Sequence, residues 1–511
     1  MALRTVDVDL NRVEGDLAFE IDLDDHRVVD ARCIGTLYRG FEQLMIGRAP
    51  KDGLVITPRV CGICGTAHLY CAALAIEAAG RFDVPPQATL VRNLCLMAEN
   101  VQSDIRQTFL FFVPDFLHSR YAGHDMASEI QRAFEPMKGK VVRSALGISR
   151  EILGIVALFG GQWPHSSYMV PGGVTRPASP KDMVECHGMV DATIEWFEDT
   201  AVGMDMQVWL AIDTAAGFEH WLESSEGAGS AMGLLTRFCR AVGIDRIGRG
   251  VDAFISAGAY HVPVEAGAMP DADARYMAGG LYDGVSGECS PFDQSMISEE
   301  VRHSWYRPYE GGLHPYEGET VPDYSTNDDR YTWSKAPRYG DRVVETGPLA
   351  ELLTGGDELV RDLLHVHGGS AWLRQFARMR RAAHALVWMK HHLDMLSGLI
   401  GSPHVIAPDE SALQSGRGYG MVQAARGTLG HWIELDEGKI SRYQIVTPTA
   451  WNASPKDSAG RHGHWEQSVI GLTLADPDDP VELGHVIRSH DPCLVCTVHF
   501  AGSGKRVRYG V

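Results

Sequence analysis

The stretch Arg59-Val60-Cys61-Gly62-Ile63-Cys64-Gly65-Thr66-Ala67-His68-Leu69-Tyr70-Cys71-Ala72-Ala73-Leu74-Ala75-Ile76-Glu77-Ala78-Ala79-Gly80 decides the fold. Two cysteines separated by two residues close a turn, and the run behind them spaces apolar residues three and four apart, as an amphipathic helix does. A second such run extends from Ala88 to Val113, and similar periodicity recurs at about 141–159, 181–210, 228–242, 350–364 and 370–398. The middle of the chain therefore reads as a helical body. Toward the N-terminus, VDVDLNRVEGDLAFEIDLDDHRVVDARCIG (6–35) alternates apolar and polar residues between charged turns, the pattern of a small antiparallel sheet. Between about 308 and 348 the text is rich in Gly, Pro, Tyr and Asp and reads as ordered irregular structure. From Gly427 to Val446, GTLGHWIELDEGKISRYQIV alternates about an Asp-Glu-Gly-Lys turn, a hairpin signal. The expected class is α+β, mainly α, with β-rich ends.

A length of 511 residues allows one large domain or two, and 45% hydrophobic with 22% charged residues is the composition of a folded globular chain. The net charge of −20 opposes binding to phosphate backbones, so nucleic acid is excluded as a partner class. No run approaches the roughly 20 apolar residues that span a bilayer. The opening MALRTVDVDLNRVEGD carries charges where a signal peptide needs an apolar core, so no export signal is expected. Ten cysteines are too few for a disulfide scaffold; Cys33, Cys71, Cys95, Cys186, Cys239 and Cys289 are scattered, while four form two pairs.

The second pair lies in Asp491-Pro492-Cys493-Leu494-Val495-Cys496, with 428 residues between Cys64 and Cys493. Two-residue spacing lets both thiolates of a pair face one ion. On spacing alone a soft-metal site, a structural zinc site and a redox dithiol all remain open, although zinc ribbons separate their pairs by only about 15–20 residues.

The neighbouring residues narrow the choice. The chain resembles the large subunit of nickel-iron hydrogenases, nearest the uptake and hydrogen-sensing branch. The resemblance runs from Asn11-Arg12-Val13-Glu14-Gly15 through Tyr38-Arg39-Gly40-Phe41-Glu42, Pro171-Gly172-Gly173-Val174, Tyr331 to Tyr339, Ala425-Arg426-Gly427 and Thr447 to Asn452, as far as His499. It implies β-rich ends that converge on a buried metal centre. Cys61 and Cys493 would bind nickel terminally, with Cys64 and Cys496 bridging nickel and iron. Soft, polarizable thiolates suit both metals and can bridge them. The implied NiFe(CN)2(CO) centre carries ligands no side chain supplies, so maturation proteins must install it. Glu14 matches the carboxylate that relays the proton released when hydrogen is split. Arg426 matches an arginine over the open metal position, and Thr449 a hydroxyl that donates to a cyanide. His68 matches a histidine able to hydrogen-bond a bridging sulfur. Glu42, His499 and the Ile445 carbonyl match the ligands of a magnesium or similar divalent ion.

Some positions depart from the family pattern. Asp16 follows Gly15 where the family's motif often continues Glu-Gly-His, and the aspartate many members place above the iron aligns with Ser103, one residue before Asp104. The chain also keeps His68 and runs on past His499, unlike the sensing members. Domain organisation is expected to be a single hydrogenase domain at 1–499 and an extension at 500–511, removed by a C-terminal endopeptidase on maturation. After the four ligands too few clustered cysteines remain for electron transfer, so the clusters are expected in an iron-sulfur small subunit. The expected function is reversible heterolytic oxidation of H2, in the direction of uptake. A hydrogen-sensing regulator is the second reading, and a non-catalytic zinc-binding structural or assembly subunit the third. The expected location is the cytoplasm, with any membrane association supplied by partners; a higher oligomer of the heterodimer is compatible with the chain.

Overall fold

The computed structural model describes residues 3–264, 274–327 and 329–493. Three antiparallel strands open the chain in the order β1 (Arg4–Leu10), β2 (Leu17–Asp24) and β3 (Arg27–Gly35). Their alternation points Val8, Phe19, Ile21, Leu23 and Cys33 inward onto Trp465, Leu483, Val486 and Ile487 from near the other end of the chain. Burying each large apolar side chain contributes roughly 1.5–3 kcal/mol, and this shared core ties the two ends together.

The body is helical. Helix α1 (Gly65–Gly80) follows the first cysteine pair, and α2 (Pro86–Arg106) packs near the long α3 (Ala371–Gly398). Both α1 and α2 are buried almost throughout. The expected helix at 141–159 is two helices, Lys140–Ile152 and Gly154–Gly160, and that at 350–364 is also two, Pro348–Gly355 and Glu358–His367. Each break falls at a glycine: Gly154 opens one helix, and Gly356 adopts φ 87° after another.

The C-terminal hairpin is the outer part of a three-stranded antiparallel sheet, β4 (Gly416–Ala424), β5 (Gly427–Asp436) and β6 (Lys439–Val446). Strand β4 lies directly on α1. A Cβ at Gly418 would sit 2.3 Å from the Ala75 carbonyl oxygen, and one at Gly420 would sit 2.3 Å from that of Cys71. Both neighbours are backbone and cannot swing away. Gly420→Ala is therefore expected to destabilise the protein by about 1–3 kcal/mol, the usual range for overpacking, measured as a fall in the denaturation midpoint. The close approach has a functional consequence: it carries His431, which pairs with Gly420, against α1, and Ile445, which pairs with His431, toward Glu42.

Candidate metal centre

The first cysteine pair sits where a 3-10 turn (Thr57–Arg59) gives way to α1, and Cys64 is the residue that caps the helix. A helix N-terminus favours negative charge, which suits a thiolate there. The helix start is held by Glu99 of α2, which accepts from the backbone N–H groups of Thr66 at 3.0 Å and Ala67 at 3.1 Å. Cys493 arrives from the other end of the chain. Its Sγ lies 3.4 Å from Cys61 Sγ, and the sulfurs of Cys61, Cys64 and Cys493 all fall within 4.8 Å of one another. All three side chains are buried and none is in a disulfide. Cys496 and His499 lie outside the described residues.

Glu14 stands beside Cys493 in a short parallel bridge, its N–H donating to Pro492 O at 3.1 Å. It is not on a strand but in the loop between β1 and β2. That loop is anchored by Arg488, which donates to Asn11 O at 3.0 Å and to Asp115 at 2.6 Å, and by an Arg12–Asp115 ion pair. Burial raises the Glu14 carboxyl pKa and Cys61 adds to the rise, while Arg426 and Arg106 pull the other way.

Arg426 lies in the turn between β4 and β5. Its Nε donates to Asp491 O at 3.0 Å and its Nη2 to Asp491 Oδ1 at 2.9 Å, while buried Nη1 has no partner among the described residues. Burial works against its charge, yet Asp491, Cys493, Cys61 and Cys64 together hold its pKa well above the ordinary value. Asp491 adopts φ 57°, a left-handed conformation just ahead of the cysteine. Behind this pair, Asp104 takes Arg381 at 2.5 and 3.0 Å and Arg378 at 3.5 Å, and Arg378 also reaches Asp491 at 3.8 Å. Arg381 further donates to the carbonyls of Ala424 and Ala425, fixing the turn that presents Arg426. Asp104 therefore supplies the carboxylate of this network; Ser103 is buried beside it on α2. Thr449 Oγ1 accepts from Cys493 N–H at 3.3 Å, which leaves its own proton available to donate.

Two further groups hold the remaining expected site residues. Burial pushes the His68 imidazole down to about 4, and its Nε2 is buried without a hydrogen-bond partner among the described residues. Its Nδ1 lies 3.0 Å from His431 Nε2, and His431 Nδ1 lies 2.8 Å from the Tyr443 hydroxyl. Glu42 accepts from Ile445 N–H at 2.9 Å, so two of the three expected cation ligands adjoin. Lys335 donates to Gln444 at 2.7 Å and pairs with Glu299 at 3.3 Å. Burial pushes the Glu299 carboxyl up, Lys335 opposes it, and Glu42 adds to it. A separate buried cluster, Glu345, His464 and His490, is spaced for a metal, but Arg374 holds both Glu345 oxygens at 2.6 and 2.9 Å. That cluster is an ion pair.

Nothing in the sequence marks Asp104, Arg378 and Arg381 as a network, or His431 and Tyr443 as partners. The one available signal was the density of arginines in Arg374-Gln375-Phe376-Ala377-Arg378-Met379-Arg380-Arg381, too basic for a helix that is otherwise apolar.

Buried thiols converging from both ends of a chain at a helix start, beside a guanidinium whose Nη1 has no partner among the described residues, form a site of the class that holds a soft metal. Comparison with known proteins gives that class its family. The nickel-dependent hydrogenase profile matches residues 39–118 and 115–499. The large subunit of the periplasmic [NiFeSe] hydrogenase of Desulfomicrobium baculatum is 30% identical, over 96% of this chain and 93% of that protein. The uptake hydrogenase large subunit of Rhodobacter capsulatus is 27% identical, over 96% and 94%. The solved Ni-Fe-Se hydrogenase of D. vulgaris Hildenborough in the reduced state superposes with a TM-score of 0.82 at 28% identity, over 98% of this chain and 100% of that one. The chain belongs to the nickel-dependent hydrogenase family. It has the fold of the family's large subunit, and its activity is that of an oxidoreductase acting on H2. A large subunit implies a small-subunit partner. Among the described residues no helix is long and apolar enough to cross a membrane.

Proposed function

We propose that the chain oxidises H2 in the direction of uptake, and that Cys61, Cys64, Cys493 and Cys496 would hold a nickel-iron centre with cyanide and carbon monoxide on its iron. The observation that carries this reading is the convergence of three buried sulfurs, none in a disulfide, whose charge is felt by buried Arg426, a guanidinium whose Nη1 has no partner among the described residues. The donor set fits: thiolates are the soft ligands such metals take, and Arg426 and His68, which feel the cysteines' charge, each keep a nitrogen without a partner among the described residues. When bound, the centre supplies the Lewis acidity and electron acceptance that split H2. Arg426 holds positive charge over the reacting position, kept in place by Asp491. Glu14, half-buried beside Cys493, takes the proton from the site and passes it outward. Thr449 and His68 present donors to the cyanide and to a bridging sulfur.

Glu42, Ile445 and His499 would hold magnesium or a similar ion, the hard oxygens of the first two suiting it. Electrons leave through iron-sulfur clusters of the small subunit. Residues 1–499 act as one domain, and the extension at 500–511 is removed by an endopeptidase once maturation proteins have loaded the metals. We read the location as cytoplasmic, with any membrane contact supplied by partners; tracking the heterodimer by cell fractionation tests this. For direction, dye-linked H2 oxidation by the mature heterodimer is expected to be rapid and to exceed H2 evolution from reduced dye. Evolution outrunning oxidation would overturn the uptake reading, and metal-loaded protein with negligible turnover would favour a hydrogen sensor.

A further inference from the structure

His68, one helical turn after Cys64, forms with His431 and Tyr443 a continuous line into the C-terminal sheet, through contacts of 3.0 and 2.8 Å. All three side chains are buried. Two imidazoles in such contact away from water stay neutral, so each carries one N–H. The direction of the line then follows by counting protons. The Tyr443 hydroxyl has no other hydrogen-bond partner among the described residues, so its proton goes to His431 Nδ1. His431 must carry its proton on Nε2 and donate to His68 Nδ1. His68 is left with its proton on Nε2, the atom that lacks a partner among the described residues, on a ring that feels the charge of Cys61. The opposite direction would strand a buried hydroxyl proton at Tyr443 and turn a lone pair toward thiolates at the other end, two unfavourable outcomes at once.

We propose that Tyr443, acting through His431, is a positioning residue that fixes His68 as the Nε2–H tautomer, aimed as a donor at the metal-binding thiolates. A donor to a metal thiolate withdraws electron density from the metals, so a phenol two residues removed from the site helps set their electronic state. The inference rests on the proposed metal centre, and it gives a reason for the glycine-lined approach of β4 to α1. That approach brings His431 within reach of His68.

The test is infrared spectroscopy of the mature heterodimer, with nickel and iron measured in the same samples. Tyr443→Phe removes one oxygen and is expected to keep full metal content, with a modest loss of thermal stability from the unpaired His431 Nδ1, while shifting the carbonyl and cyanide bands. His431→Leu should shift them in the same direction, and His431→Gln, whose amide N–H can still donate to His68, should return them toward wild type. Bands in Tyr443→Phe that coincide with wild type at full metal content would overturn the proposal. So would failure of Tyr443→Phe to load metal, because a positioning role leaves assembly intact. Absence of such bands from the wild type would instead sink the proposed centre itself.

Discussion

A Cys493→Ser protein is expected to lose its nickel and, with it, all detectable hydrogen oxidation. Cys493 is fully buried, with its sulfur 3.4 Å from that of Cys61, so no neighbouring water or exposed side chain can replace it. A serine hydroxyl is close to isosteric but is a hard donor that keeps its proton at neutral pH, whereas nickel needs a soft, ionised ligand. The backbone contacts around position 493, from Glu14 N–H to Pro492 O and from the residue's own N–H to Thr449, do not involve the sulfur. The variant should therefore fold while elemental analysis finds nickel gone. A variant that kept both nickel and activity would remove Cys493 from the ligand set.

Glu14→Gln should behave differently: nickel and iron stay, and turnover falls by on the order of 10²–10⁴-fold, the usual contribution of a positioned acid-base group. The physical reason is the carboxyl's environment. Burial and the nearby Cys61 raise its pKa, while Arg426 and Arg106 keep the charged form accessible, so it can both take a proton and release it. An amide of the same shape can do neither. Dye-linked oxidation together with metal analysis checks this, and undiminished turnover would mean that another residue relays the proton.

The main elements of this fold were legible because helices and half-buried strands write their periods into the sequence. Helix α3 shows the limit of that signal. Its length could be read from 370–398, but Arg374, Arg378 and Arg381 would pass for a solvated face. They are instead buried against Glu345, Asp104 and Glu351, which lie far away in sequence. Strand β4 is hidden in the sequence for a related reason. Its glycines weaken the strand signal, and they are needed only because the helix backbone lies against them. At the site, the four cysteines, Glu14, Arg426 and Thr449 were marked by their motifs. The structure brings Cys61, Cys64, Cys493, Glu14, Arg426 and Thr449 together, and Cys496 lies outside the described residues. His431 and Tyr443 had no such mark, since each is a lone residue on an alternating strand and acquires a role only from what the sheet packs against.

The most direct measurement is metal analysis of the purified mature heterodimer, corrected for the iron of the small subunit's clusters. Equimolar nickel and iron on this chain is the predicted result. Stoichiometric zinc with no nickel would contradict it.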